Sequence, residues 1–391
     1  MTRSTGHSRT ARTDMRVLFL TRYPVAGASS RYRVFQYIPA LRSMGITCDV
    51  QSFMDDDLYA LSFSSGKGLR KAWTTAGAVL RRIRAVLAAG QYDIVYMQRA
   101  LLPFGPPVLE RWLKAKGARL VFDYDDALFI NKPSRYNALS TWLRSGERTY
   151  DIFALSDCVV AGNDYLRDVA ARHARQAVTV EVAEDTDRIA MRAPHRNAGP
   201  LTIGWLGSTS TVKYLGLIAD VLRVIQRRYP HVELEVVGGA GFDLDGVNIR
   251  HTPWSLDGEL EALRRFDIGI MPLPLEEWSK GKSGGKARTY MAAGVPAVCT
   301  RIGYNTELIR HGETGMLCEM AAEWQDALIA LIEQPELRQC LADAARADVI
   351  RRFDLHGQAA KLATVFHCLK NDASIYDHTD FHQQRAALPN P

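Results

Sequence analysis

From residue 15 onward the chain alternates short apolar, β-rich runs with longer segments of helical period, and it does so in two successive series. Strands buried on both faces and separated by helices assemble into parallel sheets covered on each side, so the expected class is α/β. The first series places strands at 16–20, 47–53, 93–97, 119–122, 157–161 and 178–182. It breaks at 191–200, where Arg192, Pro194, His195, Asn197, Gly199 and Pro200 make a polar, Pro- and Gly-punctuated connection. The second series places strands at 201–206, 234–237, 267–271 and 297–300 and helices at 212–228, 258–265 and 286–293. Helical stretches at 322–332, 335–352 and 355–370 follow, and residues 1–14 and 371–391 read as loose tails.

The length of 391 residues suits two such domains, expected at 15–190 and 201–350 with 191–200 as linker and 351–370 as a final helix. Open parallel sheets bind ligands beyond the carboxyl ends of their strands, so function is sought in the strand-to-helix loops facing a cleft between the domains. A composition of 47% hydrophobic and 24% charged residues excludes disordered and collagen-like chains. No run approaches the ~18 apolar residues of a membrane span, and the N-terminus lacks a secretory apolar core, so a cytoplasmic location is expected. The cysteines Cys48, Cys158, Cys299, Cys318, Cys340 and Cys368 are scattered without C-x-x-C spacing and read as core thiols, with no metal site. Residues 15–190 hold 24 basic and 18 acidic side chains against 22 and 24 in residues 191–391, so the charge excess lies in the first domain.

No strict G-x-G-x-x-G occurs, which argues against a dinucleotide dehydrogenase. The Gly281-Lys282-Ser283 triplet resembles the end of a P-loop but has Glu276 where that motif needs glycine. What remains at 267–286 is a strand, a Pro-bounded loop and a glycine-rich helix start beginning near Lys286. Backbone N–H groups at such a start carry partial positive charge, and Lys280, Lys282 and Lys286 add full charges suited to a diphosphate.

The segment continues through Met291-Ala-Ala-Gly-Val-Pro296, a glycine and glutamate turn at Gly303 and Glu307, and Gly312-x-x-Gly315. This run of about fifty residues resembles the retaining GT-B glycosyltransferases of family 4 (glycosyl transferases group 1). In that family it forms the nucleotide-sugar pocket of the C-terminal domain. The resemblance extends over roughly residues 15–370, through Thr202-Ile-Gly-Trp-Leu-Gly207 and the final helices that in such enzymes cross back to the first domain. It implies a GT-B fold of two Rossmann-like domains facing a cleft, a donor domain at 201–350 and an acceptor domain at 15–190. It also implies a hexosyltransferase that needs no cofactor beyond the nucleotide diphosphate-sugar as co-substrate.

By the same resemblance the donor-binding residues are Gly207, Ser208, Lys213, Lys282, Ser283, Gly284, Lys286, Thr289, Tyr290 and Glu307. Two departures stand out. The family's pair of glutamates eight positions apart reads Gly281 and Thr289 here, and its arginine and lysine after the first glycine of the second domain read Ser208 and Lys213. Lys213, with Lys282 or Lys286, is therefore assigned to offset the charge of the departing nucleoside diphosphate.

In the first domain the loop after the first strand carries Gly27, Ser29, Ser30 and Arg31, whose small residues allow close backbone approach and whose arginine can reach phosphate. A turn capped by Ser29 or Ser30 is the plain alternative. The strand ending at 122 runs into Asp123-Tyr-Asp125-Asp126, three carboxylates in four residues. They either orient or deprotonate an acceptor hydroxyl, bind a cation, or cap the next helix; Asp125 and Asp126 are preferred as catalytic. Residues 67–87 form a basic, partly amphipathic helix suited to an anionic membrane surface, while the lack of interleaved aromatic residues argues against nucleic acid.

The expected activity is transfer of a sugar, with retention and without a metal, to a glycan or lipid-linked acceptor in cell-surface polysaccharide or glycolipid biosynthesis. The alternatives are a nucleotide-sugar epimerase on the same architecture and a degenerate binding or scaffold protein.

Overall fold

A computed structural model describes residues 15–64, 66–130, 146–193 and 200–386. Two six-stranded sheets are present, ordered β2-β1-β3-β4-β5-β6 and β12-β11-β10-β7-β8-β9. The first comprises β1 (Met15–Thr21), β2 (Ile46–Ser52), β3 (Ile94–Gln98), β4 (Leu120–Tyr124), β5 (Cys158–Ala161) and β6 (Ala177–Thr179). The second comprises β7 (Thr202–Leu206), β8 (Glu233–Val237), β9 (Ile249–Thr252), β10 (Ile268–Met271), β11 (Ala297–Thr300) and β12 (Met316–Cys318). Every strand pairing is parallel. The apolar runs have a simple cause: β3, β4, β5 and β7 are buried at every residue because helices cover both faces. This is the GT-B architecture.

In each sheet the strand order reverses once, between β1 and β3 in the first and between β7 and β10 in the second. Ligand crevices open at such switch points. Both reversals face the cleft between the domains.

The strands β9 and β12 carry no signal in the sequence, since Ile249-Arg-His-Thr252 is half exposed and β12 has three residues. The helical span expected at 212–228 is a 3-10 turn, Val212–Ile218, followed by an α-helix, Ala219–Arg228. Residues 194–199 of the anticipated linker and the tail at 1–14 lie outside the described residues.

The C-terminal helix Leu355–Lys370 leaves the second domain and packs into the first, where Leu362, Val365 and Phe366 join a core with Phe19, Tyr96 and Val160. Contrary to the reading of 371–391 as a loose tail, residues 371–386 continue this docking and include a helix, Thr379–Ala386. Ile375 and Phe381 are fully buried in the same core. The reason is the open edge of β6. Its Ala177 exchanges 2.8 Å hydrogen bonds with the Tyr376 hydroxyl, and the Gln384 amide bonds both backbone groups of Thr179, so side chains complete a strand edge that would otherwise stand unpaired.

Candidate functional site

Between the domains lies a cavity of about 600 Å³ lined from both sides. The first domain contributes the loop after β1. Gly27 is required there, because a Cβ would stand 2.3 Å from that of Tyr23. The tight turn starts the helix Ala28–Arg33, and its polar residues form one network. Ser30 Oγ donates to Gln98 Oε1 (2.8 Å) and accepts from the Tyr23 N–H (3.0 Å), while Gln98 Nε2 donates to Ser29 Oγ (2.9 Å). Ser29 Oγ in turn lies 2.9 Å from each oxygen of Asp125.

Asp126 projects from beyond β4 and is held by two cations, Arg99 and Lys282 Nζ, the latter at 2.6 Å across the domain boundary. Burial alone would raise its pKa, but the two cations win and hold the carboxyl well below the usual range. Asp126 is thus ionised yet a poor proton acceptor, which suits an electrostatic role better than the base role expected for it. Arg99 follows β3 directly and adopts a left-handed backbone (φ 67°), a conformation rare for a non-glycine residue.

The second domain contributes the helix Gly285–Ala292, entered through Gly284 in a left-handed conformation (φ 65°) with no side-chain cap. Its first N–H groups therefore point into the cavity without intrahelical partners. Lys286 extends over the Trp205 ring at 5.3 Å, past Gly207, where a Cβ would sit 2.7 Å from the lysine Cε. Burial and the neighbouring Lys282 push its pKa down to about 8. Lys282 lies 4.0 Å above the Trp278 ring. Ser208, Ser283 and Gly284 line the cavity as well.

The lining also holds two carboxylates, Glu184 and Glu259, which the sequence reading missed. Glu184, 1% exposed, places Oε1 3.1 Å from the Thr289 hydroxyl and 3.5 Å from the guanidinium of buried Arg288. Its Oε2 has no hydrogen-bond partner among the described residues. Burial pushes this carboxyl up to about 7, against the pull of Arg288. Glu259 accepts from Trp254 Nε1 (2.6 Å) and the Tyr32 hydroxyl (3.1 Å) and faces Arg31 at 3.7 Å. Arg31 also lies 4.9 Å over the Trp254 ring, so it joins the domains beside Glu259.

Six expected site residues do not line the cavity. Gly27 and Ser30 act one layer behind it. Asp123 is fully buried and paired with Arg33, whose Nη1 also donates to the Val180 carbonyl (2.6 Å). Tyr290 is buried, its hydroxyl bonding the Leu206 N–H (2.9 Å) and tying the helix to the end of β7. Lys213 is exposed and lies 5.4 Å from the Tyr214 ring, which neighbours Trp278 at 6.4 Å. Glu307 faces Asp164 and Glu181; lost hydration and these like charges push it up to about 7.

The two positions that depart from the family pattern have distinct geometries. At Gly281 a Cβ would come 2.7 Å from the Ala127 Cβ and 2.9 Å from its backbone nitrogen, so the domains close against this position and leave no room for a side chain. At Thr289 the shorter side chain makes room for the Glu184 carboxylate.

Residues 200–334 match the family model described as glycosyl transferases group 1. The matched span falls on the second domain. Among curated relatives, the chain is similar to D-inositol 3-phosphate glycosyltransferase of Arthrobacter sp. (strain FB24), 28% identical over 178 residues, which is 41% of this chain and 39% of that protein. It is also similar to N-acetyl-alpha-D-glucosaminyl L-malate synthase of Bacillus anthracis, 33% identical over 84 residues, 21% of this chain and 22% of the relative. The chain thus spans about two fifths or less of the length of these relatives. Among solved structures, the whole two-domain fold resembles Anabaena Alr3699/HepE in complex with UDP and glucose (TM-score 0.66, 15% identity, 90% of this chain and 99% of that one). It likewise resembles sucrose-phosphate synthase from Thermosynechococcus elongatus (TM-score 0.67, 14% identity, 92% and 100%). These likenesses show the GT-B fold over both domains.

Proposed function

We propose that the protein transfers a sugar from a nucleotide diphosphate-sugar to an acceptor hydroxyl, with retention of anomeric configuration and without a metal. The observation that carries this reading is the presence of two kinds of group in one cavity: Lys282, Lys286 and the helix start at Gly285, and the carboxylates Glu184 and Glu259. A diphosphate is attracted to the first, whereas sugar and ribose hydroxyls can donate to the second. A polyhydroxylated diphosphate fits both.

In this reaction the bond from the anomeric carbon to the diphosphate breaks, the acceptor oxygen bonds that carbon, and the acceptor proton passes to the departing phosphate. Lys282, Lys286 and the helix dipole stabilise the charge that develops on the leaving group. Lys282 exchanges Asp126 for phosphate as the donor enters, and Ser29 and Asp125 orient the acceptor from the first domain. Closure of the two domains excludes water, which would otherwise compete as acceptor. The acceptor is a glycan or lipid-linked hydroxyl of cell-surface polysaccharide or glycolipid assembly.

A thermal-shift panel of nucleoside diphosphates and nucleotide sugars tests the donor half. A ligand at 100 times its Kd should stabilise the fold by ~2.7 kcal/mol, and Lys286→Ala should abolish the shift. Product analysis by proton NMR then reads the anomeric configuration. The absence of a shift with every nucleotide would reject the reading.

A further inference from the structure

The helix Gly68–Leu87 packs on the first domain through Ala78, Arg82 and Val86. Its outward face is also apolar. Leu69, Trp73, Ala76, Leu80, Ile83 and Leu87 recur at alternating intervals of four and three, which places them in one stripe along the helix. Leu69 is 92% exposed, Trp73 82%, Leu80 56% and Leu87 61%. A stripe of this length, on a helix of 20 residues and ~30 Å, is not explained by packing among the described residues.

The stripe is flanked by cations. Arg84 lies beside it and Arg70 and Arg81 along one margin, with Lys67 and Lys71 at the start, and the helix contains no acidic residue. Arg81 is paired with Asp55 at 2.7 Å, whereas Arg70 and Arg84 make no ion pair among the described residues. A second copy laid on this face would set arginine against arginine. An anionic bilayer satisfies both features, taking leucine and tryptophan side chains into its interface and the arginines at its headgroups.

The stripe also adjoins the cleft. Lys71 Nζ donates to the Ser64 carbonyl at 2.5 Å, which holds the first turn of the helix against the turn presenting Phe63. Phe63, 71% exposed, lines the cavity together with Tyr59, and their rings meet edge to face at 5.1 Å.

We infer that the outward face of Gly68–Leu87 seats the protein on an anionic lipid surface, with the Tyr59 and Phe63 side of the cleft turned towards that surface. The inference deepens the glycosyl-transfer reading by giving the side from which an acceptor arrives. Its test needs neither donor nor acceptor, so the two stand or fall separately.

The full-length protein is floated with phosphatidylcholine vesicles with and without phosphatidylglycerol, at low and high salt. It should float only with anionic vesicles and lose binding at high salt. The Leu69→Ser, Trp73→Ser, Leu80→Ser triple variant should bind roughly tenfold less or weaker still, as should Arg70→Ser with Arg84→Ser. Circular dichroism melts check that each variant folds; the charge variant and the salt series carry the test if the triple variant does not. A polarity-sensitive dye on Phe63→Cys, in a Cys340→Ser background, should brighten on vesicle binding, and the same dye on exposed Cys340 should not. Failure of the wild type to float with anionic vesicles overturns the inference. So does equal flotation of the triple variant, a dark dye at position 63 on bound protein, or a solution dimer that the triple variant dissolves.

Discussion

Asp123, in β4, and Asp126, just beyond it, are three residues apart, yet their surroundings separate them. Asp123 is fully buried against Arg33, and removing one partner of such a pair leaves the other charge uncompensated. Asp123→Ala should therefore cost about 3–5 kcal/mol, read by urea denaturation. Asp126 retains a quarter of its side-chain exposure, so Asp126→Ala should lower stability far less and act mainly on the cleft. Lys286 gives a pH dependence with a definite sign. Its pKa is lowered to about 8, so the cation is present below that pH and lost above it. Affinity for a nucleoside diphosphate, measured by calorimetry, should fall as pH rises from 7 to 9. Because phosphate favours the charged form, binding near pH 8 should also take up protons, seen as a buffer-dependent enthalpy. Glu184→Ala should destabilise the fold by about 3 kcal/mol at pH 8, where the carboxylate is ionised and is the counter-charge to buried Arg288.

At the scale of elements, the closeness of Gly281 to Ala127 governs closure of the domains. Gly281→Ala should hold them apart, with a cost of about 1–3 kcal/mol for the closed arrangement. That appears as a loss of roughly tenfold or more in kcat/KM and faster amide exchange at 127 and 281. The strands and long helices were legible because burial on both faces writes a continuous apolar run, as in β3 and β4, and because Pro335 and Gly357 sit at helix starts. β9 and β12 were not, since an edge strand is half solvated and three residues carry no period. The lysines of the site were legible, being contiguous in sequence from Gly281 to Thr289. The buried carboxylates were not, because Glu184, Glu259 and Tyr32 come from three distant segments and meet only when the sheets face each other. One signal was available: Gln98 and Arg99 stand at the carboxyl end of β3, beside the strand-order reversal, where ligand loops occur.

For the whole molecule, two passages of chain join the domains side by side. The Glu184 N–H donates to the Phe353 carbonyl at 3.0 Å, at a bridge between Glu184 and Asp354. Any hinge motion must pass through these two passages of chain, and Glu184 ties it directly to the cavity lining. Ending the chain at Lys370 would remove Ile375 and Phe381 from the first core and expose the β6 edge. At about 1.5–3 kcal/mol per large apolar side chain, calorimetry should show the first domain melting earlier, by roughly 3–6 kcal/mol of lost stability, while the second is little changed. The C-terminal return also sets an order of events during synthesis. The second domain has all its strands and its own helices once residue 352 has left the ribosome. The first domain, although made earlier, must wait for residues 355–386 to complete its core and close its open edge. The half of the protein that is translated first is thus the half whose core is completed last, and until then β6 offers an open edge to any neighbouring nascent chain.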